Sequence, residues 1–452
     1  MDTILELIEN AGPFPAGRCL IGFSGGADST MLIRMAAVLR DRGQLEPEAI
    51  HVNHGLRGEE SDLDERFCRN ACEALDIPFY SVRAELAGKT DEDACRRERF
   101  RCFRETLEQN GIDQLILGHN RDDLAETFLM RLMRGAGLEG LACMSGTDER
   151  DGFRIYRPLL RIGREEIRNA LRSEGLSWRE DSSNESGKYL RNRIRHDLIP
   201  AINEMAEGAD RRIARTAEIL YLENRMLQEI ADAFLRTHSS GIWLDCAELM
   251  KCPEAAQRRI LRNWWKQFIP ETDEHSLNAG QTELLMNLLK ADRGKVNLPG
   301  NLVAAKGRHG MYMTGIRKDP LPEIPLDIGF SGEIAFGAYR LAVSESEGNP
   351  GNGILTQEVP AGFLDGCVLR TRRPGDRIRP FGMDGTRKLQ DFLTDRGIDE
   401  PMRDEIPLIC RENEVLWAAG AGAGAIPEWD AGKRNIRLTW SGKMPWKLKE
   451  GE

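Results

Sequence analysis

The residues of this chain best suited to chemistry begin at a short polar loop, Ser24-Gly25-Gly26-Ala27-Asp28-Ser29. The loop follows an apolar run, Cys19 to Phe23, which is long enough for one buried strand, and it precedes a helical pattern of apolar residues. Two glycines allow a tight turn, and the first N–H groups of the helix then point into the loop. These groups and the helix dipole favour an anion. The loop therefore predicts a cradle for nucleotide phosphates, with Asp28 as a carboxylate for a phosphate-bound metal.

Polar side chains also follow the second predicted strand, in the segment His51-Val52-Asn53-His54-Gly55-Leu56-Arg57. The carboxyl ends of neighbouring parallel strands meet at one edge of a sheet, so this segment faces the same crevice as the loop. Arg57 is suited to neutralising phosphate, and His54 to contacting a base or a phosphate. Histidines beside a turn are also common as purely structural residues, and this second interpretation stays open.

A cluster of acids follows the fourth predicted strand, in the segment Gly118-His119-Asn120-Arg121-Asp122-Asp123-Leu124-Ala125-Glu126-Thr127. Helical spacing places Asp122 and Asp123 one turn from Glu126, so at least two carboxylates share the face toward the crevice. The helix dipole alone favours one or two acids at a helix start. It does not account for a whole cluster beside His119 at a strand end. We therefore predict a functional site here.

These segments need a scaffold of alternating strands and helices, and the pattern from 18 to about 160 supplies one. Strands are predicted at Cys19–Phe23, Ala49–Asn53, Pro78–Val82 and Gln114–Gly118, with a helix after each. Repeated βα units of this length predict an α/β fold with a doubly wound parallel sheet. Beyond Gly163 helical patterns dominate, and from about Asp319 short apolar runs alternate with turn residues. We predict a catalytic domain over 1–212, a helical middle domain over 213–320 and a small mixed α/β domain over 321–452.

Composition narrows the class of protein. The chain has 452 residues, a formal net charge of −10 and ten cysteines. Scattered cysteines and the lack of a long apolar run predict a cytoplasmic protein with reduced thiols, no zinc site and no membrane partner. The acidic net charge does not exclude RNA, because binding needs only a local basic surface. Three basic runs are candidates for such a surface: Arg96–Arg104, Lys188–Arg195 and Arg370–Arg379.

The loop Ser24–Ser29 resembles the Ser-Gly-Gly-x-Asp-Ser signature of the PP-loop ATP pyrophosphatases. Together with the loop, the segments after the second and fourth strands are similar to those of the tRNA(Ile)-lysidine synthetases. Other matching segments are Arg157–Leu160, Trp178–Asn184, Tyr189–Arg195 and Arg372–Arg377. Their order and spacing extend the resemblance from Arg18 to about Arg396.

The resemblance implies a two-step ligase reaction that uses ATP, Mg²⁺, L-lysine and a tRNA. ATP adenylates O2 of the wobble cytidine in tRNA(Ile) with a CAU anticodon, and pyrophosphate leaves. The ε-amino group of lysine then displaces AMP and gives lysidine. In this scheme Ser24–Ser29, His54 and Arg57 bind ATP, and Asp28 carries the metal.

Further residues receive roles through the resemblance. Asp123 and Glu126 hold the amino groups of the lysine substrate, while Arg96 and Arg99 hold its carboxylate. Phe100 stands where the family has a tyrosine, so this chain lacks a hydroxyl at that position. The contacts with tRNA are assigned to Lys188, Arg191, Asn192, Arg195, Arg372, Arg373 and Arg377. The first four of these are equally suited to ATP phosphates.

The amine of the lysine substrate has to lose a proton before it attacks. Its pKa is about 10.4, so only about one molecule in a thousand is neutral at pH 7. A carboxylate or phosphate therefore accepts the proton during the attack. Asp28, Asp123 and Glu126 are candidates for a catalytic role of this kind, and the sequence leaves the choice among them open.

Two other functions remain as alternatives. A PP-loop tRNA thiolase activates a base in the same way and then delivers sulfur. Many such enzymes use cysteine pairs, and this chain has no Cys-x-x-Cys. A tRNA-binding protein with a vestigial nucleotide fold is disfavoured by the intact loop together with Asp123 and Glu126. The sequence does not fix the oligomeric state, and a homodimer stays among the options.

Overall fold

The computed structural model divides the chain into two compact units, Met1–Met226 and Leu227–Glu452. It describes residues 2–56, 58–85, 92–150, 152–180, 190–270, 276–315, 321–326, 332–337, 339–346, 353–381, 383, 385–425 and 435–442. In this part of the chain, no helix combines the length and the apolar character needed to cross a membrane. Predicted site residues Arg57 and Lys188 lie outside the described residues.

The first unit is built on a six-stranded sheet, counted over its described residues, with the order β3-β2-β1-β4-β6-β5. The strands are β1 (Gly17–Gly22), β2 (Leu45–Asn53), β3 (Phe79–Arg83), β4 (Gln114–Ile116), β5 (Thr147–Arg150) and β6 (Phe153–Tyr156). All neighbours pair in parallel except β5 and β6. The chain order reverses between β1 and β4, so the loops after these two strands flank a topological switch point.

Helices cover both faces of this sheet, as the predicted doubly wound architecture requires. They are α1 (Asp2–Asn10), α2 (Ala27–Asp41), α3 (Glu59–Glu73), α4 (Glu92–Asn110), α5 (Arg121–Met133), α6 (Leu138–Leu141) and α7 (Arg164–Ser173). Successive residues of β1 point to opposite faces: Ile21 packs in one core with α2 and α7, and Leu20 packs in another with Phe103 of α4. The predicted α/β class of this domain is confirmed.

The helical pattern predicted beyond Gly163 is present over 190–205, but this segment is not one regular α-helix. It forms α8 (Leu190–Arg193), a π-helical turn (Ile194–Leu198) and α9 (Ile199–Met205). Pro200 lacks an N–H, so it interrupts the regular hydrogen-bond ladder at this point. The long helix α10 covers Ala209–His238.

The second unit begins with the helices expected of the middle region, α11 (Cys246–Leu249), α12 (Glu254–Lys266) and α13 (Ala279–Lys290). They pack on a sheet with the order β7-β8-β11-β10-β9, which the sequence analysis missed. Its strands are β7 (Ser239–Ser240), β8 (Trp243–Leu244), β9 (Gly294–Leu298), β10 (Leu302–Lys306) and β11 (Met311–Thr314). These strands have five residues or fewer, too short for a clear alternating pattern. Trp264 and Trp265 fill the core between helices and sheet.

The remainder of the second unit is the predicted small mixed α/β module. One sheet has the order β12-β16-β19-β20-β17-β18, with β21 on β20, and the other has the order β13-β14-β22-β15. Their bounds are β12 (Ile324–Leu326), β13 (Gly332–Phe336), β14 (Tyr339–Ser346), β15 (Thr356–Pro360), β16 (Cys367–Arg370), β17 (Arg377–Ile378), β18 (Arg387–Lys388), β19 (Leu408–Arg411), β20 (Glu414–Ala418), β21 (Gly422–Ala423) and β22 (Asn435–Ser441), with α14 at Leu389–Asp395. Trp417 and Trp440 pack together in the core.

Candidate active site

The loop between β1 and α2 has the conformation that the glycines predict. Gly25 is buried and has φ +88°, which an L side chain rarely adopts, and a Cβ there would lie 3.3 Å from the sulfur of Cys68. Gly26 is the N-cap of α2, and no side chain in the described chain caps this helix. The hydroxyls of Ser24 and Ser29 are 3.1 Å apart, and that of Thr30 donates to the carbonyl of Gly25 at 3.2 Å. The first N–H groups of α2 are therefore left for a ligand.

Two contacts that the sequence analysis did not identify hold this loop. A Cβ on Gly118, just past β4, would lie 3.3 Å from the backbone nitrogen of Ser29, so only glycine lets the two segments approach this closely. The backbone N–H of Arg179 donates to the carbonyl of Gly25 at 2.9 Å. The Arg179 guanidinium also donates to the buried carboxylate of Asp64 at 2.7 Å. The segment around Arg179 thus braces the phosphate loop.

Asn120 connects the phosphate loop to the acidic helix α5. Its side-chain amide donates to Asp28 at 3.0 Å, and its side-chain oxygen accepts the N–H of Asp123 at 2.9 Å. The backbone N–H of Asn120 donates in turn to the carboxylate of Asp123 at 3.1 Å, which completes a capping box. The predicted metal ligand Asp28 and the predicted lysine ligand Asp123 are therefore fixed relative to each other through one residue.

The environment of Asp28 favours a cation beside it. Burial, together with the charge of the nearby Asp123 carboxylate, raises the pKa of Asp28 to about 6, against the opposing hydrogen bond from Asn120. Over the described residues, no group of three or more acidic, histidine or cysteine side chains is arranged to hold a metal by itself. A divalent ion at Asp28 would therefore take its other ligands from phosphate oxygens and water, which is the usual arrangement for Mg²⁺.

Asp123 and Glu126 are surrounded by guanidinium groups. Arg164 donates to Asp123 at 3.1 Å and to Glu126 at 3.3 Å. Arg191 donates to the same pair at 3.3 and 2.9 Å. Arg195 donates to both oxygens of Glu126, at 2.6 and 3.0 Å. Glu126 has no exposed surface. Two carboxylates thus face three guanidinium groups in the described part of the chain.

The two carboxylates have different pKa values because the arginines reach them unequally. Burial raises the pKa of Asp123 and the adjacent Glu126 charge adds to this, while the charges of Arg191 and Arg164 oppose it. Burial also acts to raise the pKa of Glu126, but the hydrogen bond and charge of Arg195 and the other two arginines outweigh it. Glu126 therefore stays ionised, and Asp123 is the more readily protonated of the two.

Two of the residues predicted to contact tRNA or phosphate in the second basic run, Arg191 and Arg195, lie in this cluster. Arg191 and Arg195 are engaged by the carboxylates, and Asn192 between them is buried, at 8% exposure. Arg193, in contrast, is exposed on the same segment. The sequence could not separate these arginines, because the pairing depends on residues 65 to 69 positions away along the chain.

A second group of cationic side chains surrounds His119 at the end of β4. Burial lowers the pKa of His119 far below its ordinary value, and the charges of Arg157, Arg96 and Arg99 lower it further. The imidazole is therefore neutral, and its Nδ1 is buried with no hydrogen-bond partner in the described chain. The predicted lysine-carboxylate ligands Arg96 and Arg99 thus lie on the His119 side of the site. Burial and the charge of Arg99 likewise lower the pKa of His54.

The third basic run contains one structural arginine and several surface arginines. Arg370 is buried and donates to both oxygens of Asp376, at 2.9 and 2.8 Å. Arg372 pairs with Asp404, and Arg373, which is 52% exposed, pairs with Glu323. The remaining predicted contact, Arg377, is exposed and donates to Thr386. The predicted tRNA contacts of this run therefore lie at the surface.

Known proteins resemble the chain along nearly its whole length. Residues 2–202 match the PP-loop domain family, and residues 367–440 match a family described as the TilS substrate C-terminal domain. The tRNA(Ile)-lysidine synthase of Geobacter sulfurreducens is 32% identical, with 94% of this chain and 93% of the relative covered. Those of Caldanaerobacter subterraneus and Symbiobacterium thermophilum are 32% and 31% identical, over 89% and 97% of both chains.

A solved U34-tRNA thiolase, NcsA from Methanococcus maripaludis, covers 49% of this chain and 78% of its own, at 20% identity and a TM-score of 0.42. This likeness is too low to favour the thiolase alternative. The three relatives named above align along nearly their whole length and carry the same name. The chain belongs to the tRNA(Ile)-lysidine synthase family.

Proposed function

We propose that this chain is an ATP-dependent ligase that adenylates the wobble cytidine of tRNA(Ile) with a CAU anticodon. It then joins L-lysine to C2 of that base to form lysidine, with release of AMP and pyrophosphate. The observation that carries the proposal is the link through Asn120, which joins a phosphate loop to the carboxylates of α5. One site thus combines groups for ATP phosphates and for a cationic second substrate, in a member of this family.

The first step depends on the loop Ser24–Ser29. Its backbone N–H groups and the hydroxyls of Ser24 and Ser29 bind the phosphate chain, and the dipole of α2 stabilises the charge of the leaving pyrophosphate. His54, which is neutral, contributes hydrogen bonds at the end of β2. Mg²⁺ bound at Asp28 would neutralise phosphate charge and orient the reacting phosphate. Arg57 is proposed to add a further positive charge.

The second step needs ligands for both ends of the lysine substrate. Asp123 and Glu126 are the carboxylates available for its ammonium groups, and Arg96 and Arg99 are suited to its carboxylate. Asp123 is the group we assign as proton acceptor during the attack. The pKa of Asp123 is raised, which makes this carboxylate the better proton acceptor near pH 7. The arginines lower the pKa of Glu126, which keeps it ionised and makes it a weak base. The neutral His119 has a buried Nδ1 with no hydrogen-bond partner in the described chain, and this nitrogen is available to a substrate.

The tRNA is proposed to contact several parts of the chain. Arg372, Arg373 and Arg377 lie at the surface and are suited to phosphate, a contact that positions the RNA without reading its sequence. Lys188 is assigned to the same substrate. A tRNA substrate and ATP together imply that the protein works in the cytoplasm.

The test of the function is lysine incorporation into RNA. The protein is mixed with ATP, radiolabelled lysine and tRNA(Ile) bearing a CAU anticodon, and acid-insoluble label is counted. The matched control is the same tRNA with uridine in place of the wobble cytidine. We expect ATP-dependent label in the first RNA only. Pyrophosphate release without lysine-dependent label would overturn the proposal, and transfer of labelled sulfur instead would establish the thiolase alternative.

A further inference from the structure

The carboxylates assigned to the lysine substrate already have cationic partners from the chain itself. Glu126 is fully buried, and its two oxygens accept from Arg164, Arg191 and Arg195 at 2.6 to 3.3 Å. The exposed fraction of the Asp123 side chain is only 14%. An ammonium group and a guanidinium group compete for the same acceptor oxygens. A lysine amine therefore reaches Glu126 only if at least one guanidinium leaves.

One of the three arginines is poorly placed to leave. Arg164 is the first residue of α7, and its own backbone N–H donates to Asp122 of α5 at 2.8 Å. This bond ties the start of α7 to the acidic helix, so the Arg164 side chain begins beside the carboxylates. The Arg164 guanidinium also lies 3.1 Å from the carboxylate of Asp123. We assign it a permanent structural role.

Arg191 and Arg195 form a unit of a different kind. They lie four residues apart on one helical face, on α8 and on the π-helical turn Ile194–Leu198 that follows it. A π-helical turn is a local departure from regular α-helix and frequently accompanies functional sites. A small rotation or shift of this segment would move both guanidinium groups together. The arginine pair Arg191–Arg195 is therefore the movable part of the cluster.

The charges in the crevice indicate which group binds Arg191 and Arg195 after they leave the carboxylates. The oxygens of Asp123 and Glu126 already accept from three guanidinium groups, and a lysine ammonium added to the closed cluster would bring a further positive charge against them. ATP and the anticodon backbone bring phosphate groups to the same crevice. Guanidinium groups bind phosphate in the same two-pronged geometry as carboxylate. Phosphate is thus the exchange partner that releases the carboxylates without leaving the arginines unpaired.

We propose that the arginine pair Arg191–Arg195 is an internal competitor of the lysine substrate, which transfers from Asp123 and Glu126 to phosphate when ATP and tRNA bind. This inference rests on the proposed function, because it takes these carboxylates as the lysine-amine site. Its consequence is an order of binding. The amine site opens after the anionic substrates arrive, so lysine enters when an activated base is available.

The experiment measures binding of radiolabelled lysine by equilibrium dialysis. The full-length protein is used alone, with a non-hydrolysable ATP analogue, and with that analogue plus the tRNA. We expect lysine affinity to rise by about tenfold or more from the first condition to the third, which is within the usual range for coupling between two ligands. Equal affinity in all three conditions would overturn the inference. Lysidine formation by the same preparation is assayed in parallel, so failure of the proposed function is seen separately.

Substitutions of Arg191 and Arg195 test whether these two arginines compete with the lysine substrate. Arg191→Gln combined with Arg195→Gln should let lysine bind the free protein more tightly than wild type does, and should slow pyrophosphate release. Arg193→Gln, which changes an exposed arginine of the same segment, should behave as wild type. Because the double substitution removes partners of a buried carboxylate, Arg195→Lys alone serves as a milder variant, with an intermediate gain in lysine affinity. Weaker lysine binding to the free form of both variants would contradict the proposal.

Discussion

The phosphate loop and the carboxylate–arginine cluster adjoin each other, yet they are built in opposite ways. The loop depends on backbone geometry: Gly25 at positive φ and Gly118 at close approach are positions where a side chain would interfere, and Gly26 begins the helix. The cluster depends on side-chain charges contributed by three separate segments. A backbone site is preformed, whereas a charge cluster can exchange partners. The loop is therefore suited to holding ATP, and the cluster to admitting a substrate conditionally.

The largest effect is expected from Glu126→Gln, which tests the carboxylate–arginine cluster. Three guanidinium groups would then surround Asp123 alone, and loss of one member of a buried ion pair typically costs about 3 to 5 kcal/mol. We expect the free energy of unfolding, measured with urea, to fall by that order and lysidine formation to be lost. Glu223→Gln, at an exposed position of α10, is the matched control and should change stability by less than about 0.5 kcal/mol. Unchanged stability of Glu126→Gln would mean that the cluster carries little energy.

Asp28→Asn changes a residue that lies between the phosphate loop and the carboxylate–arginine cluster. It distinguishes an effect on catalysis from an effect on folding. The amide retains a contact for Asn120 but loses the charge for a metal, so pyrophosphate release should fall by about two orders of magnitude, the size typical of a lost electrostatic group. Full activity of this variant would show that the metal ligand has been misassigned. Asn120→Asp, which places a second carboxylate beside Asp28, is a companion variant with the same expected loss.

The pH dependence of stability follows from the raised pKa of Asp28. A folded-state pKa of about 6, above the unfolded value, means that the ionised carboxylate weakens the fold above about pH 6 and that this penalty disappears below about pH 4. Asp28→Asn should therefore be more stable than wild type at pH 7.5, by about 1 to 3 kcal/mol, and equally stable at pH 4. Urea unfolding at the two pH values measures the difference. A gain that is the same at both pH values would argue against ionisation as its cause.

Gly118→Ala tests the phosphate loop, the site whose shape depends on backbone geometry. Its Cβ would lie 3.3 Å from the backbone of Asp28 and Ser29, so the loop has to shift by a few tenths of an ångström. We expect KM for ATP to rise by about tenfold, with a stability loss of about 1 kcal/mol. Gly137→Ala, at a helix start with open space around it and no positive φ, should leave both quantities unchanged. Normal KM in Gly118→Ala would show that the loop tolerates displacement.

The smallest effect is expected from two arginines of the second unit. Replacing Arg372 and Arg373 by Gln should weaken tRNA binding several-fold and reduce the slope of log affinity against log salt by about 2, with KM for ATP unchanged. Arg340→Gln, an exposed arginine of β14, is the control and should keep the wild-type slope. An unaltered slope in the double variant would remove these residues from the RNA surface.

The contrast between the phosphate loop and the carboxylate–arginine cluster also explains which features the sequence could predict. The strands, the helices and the phosphate loop follow from local patterns, and Asp28, Asp123 and Glu126 lie together because strand ends meet at one edge of the sheet. The partners of the carboxylates could not be predicted, since Arg164 and Arg195 are 38 and 69 residues from Glu126 along the chain. Gly118 looked like an ordinary strand end, and its role depends on contact with α2. The middle sheet was missed because its strands are very short.

The most direct test of the central claim follows the adenylyl group. The protein is incubated with α-labelled ATP and tRNA(Ile) bearing a CAU anticodon, without lysine, and lysine is then added. The account predicts that label from the AMP moiety first appears on the tRNA and is then released as AMP while lysine is incorporated in equal amount. Label that stays on the tRNA after lysine is added, or AMP that forms without ever passing through the RNA, would contradict it.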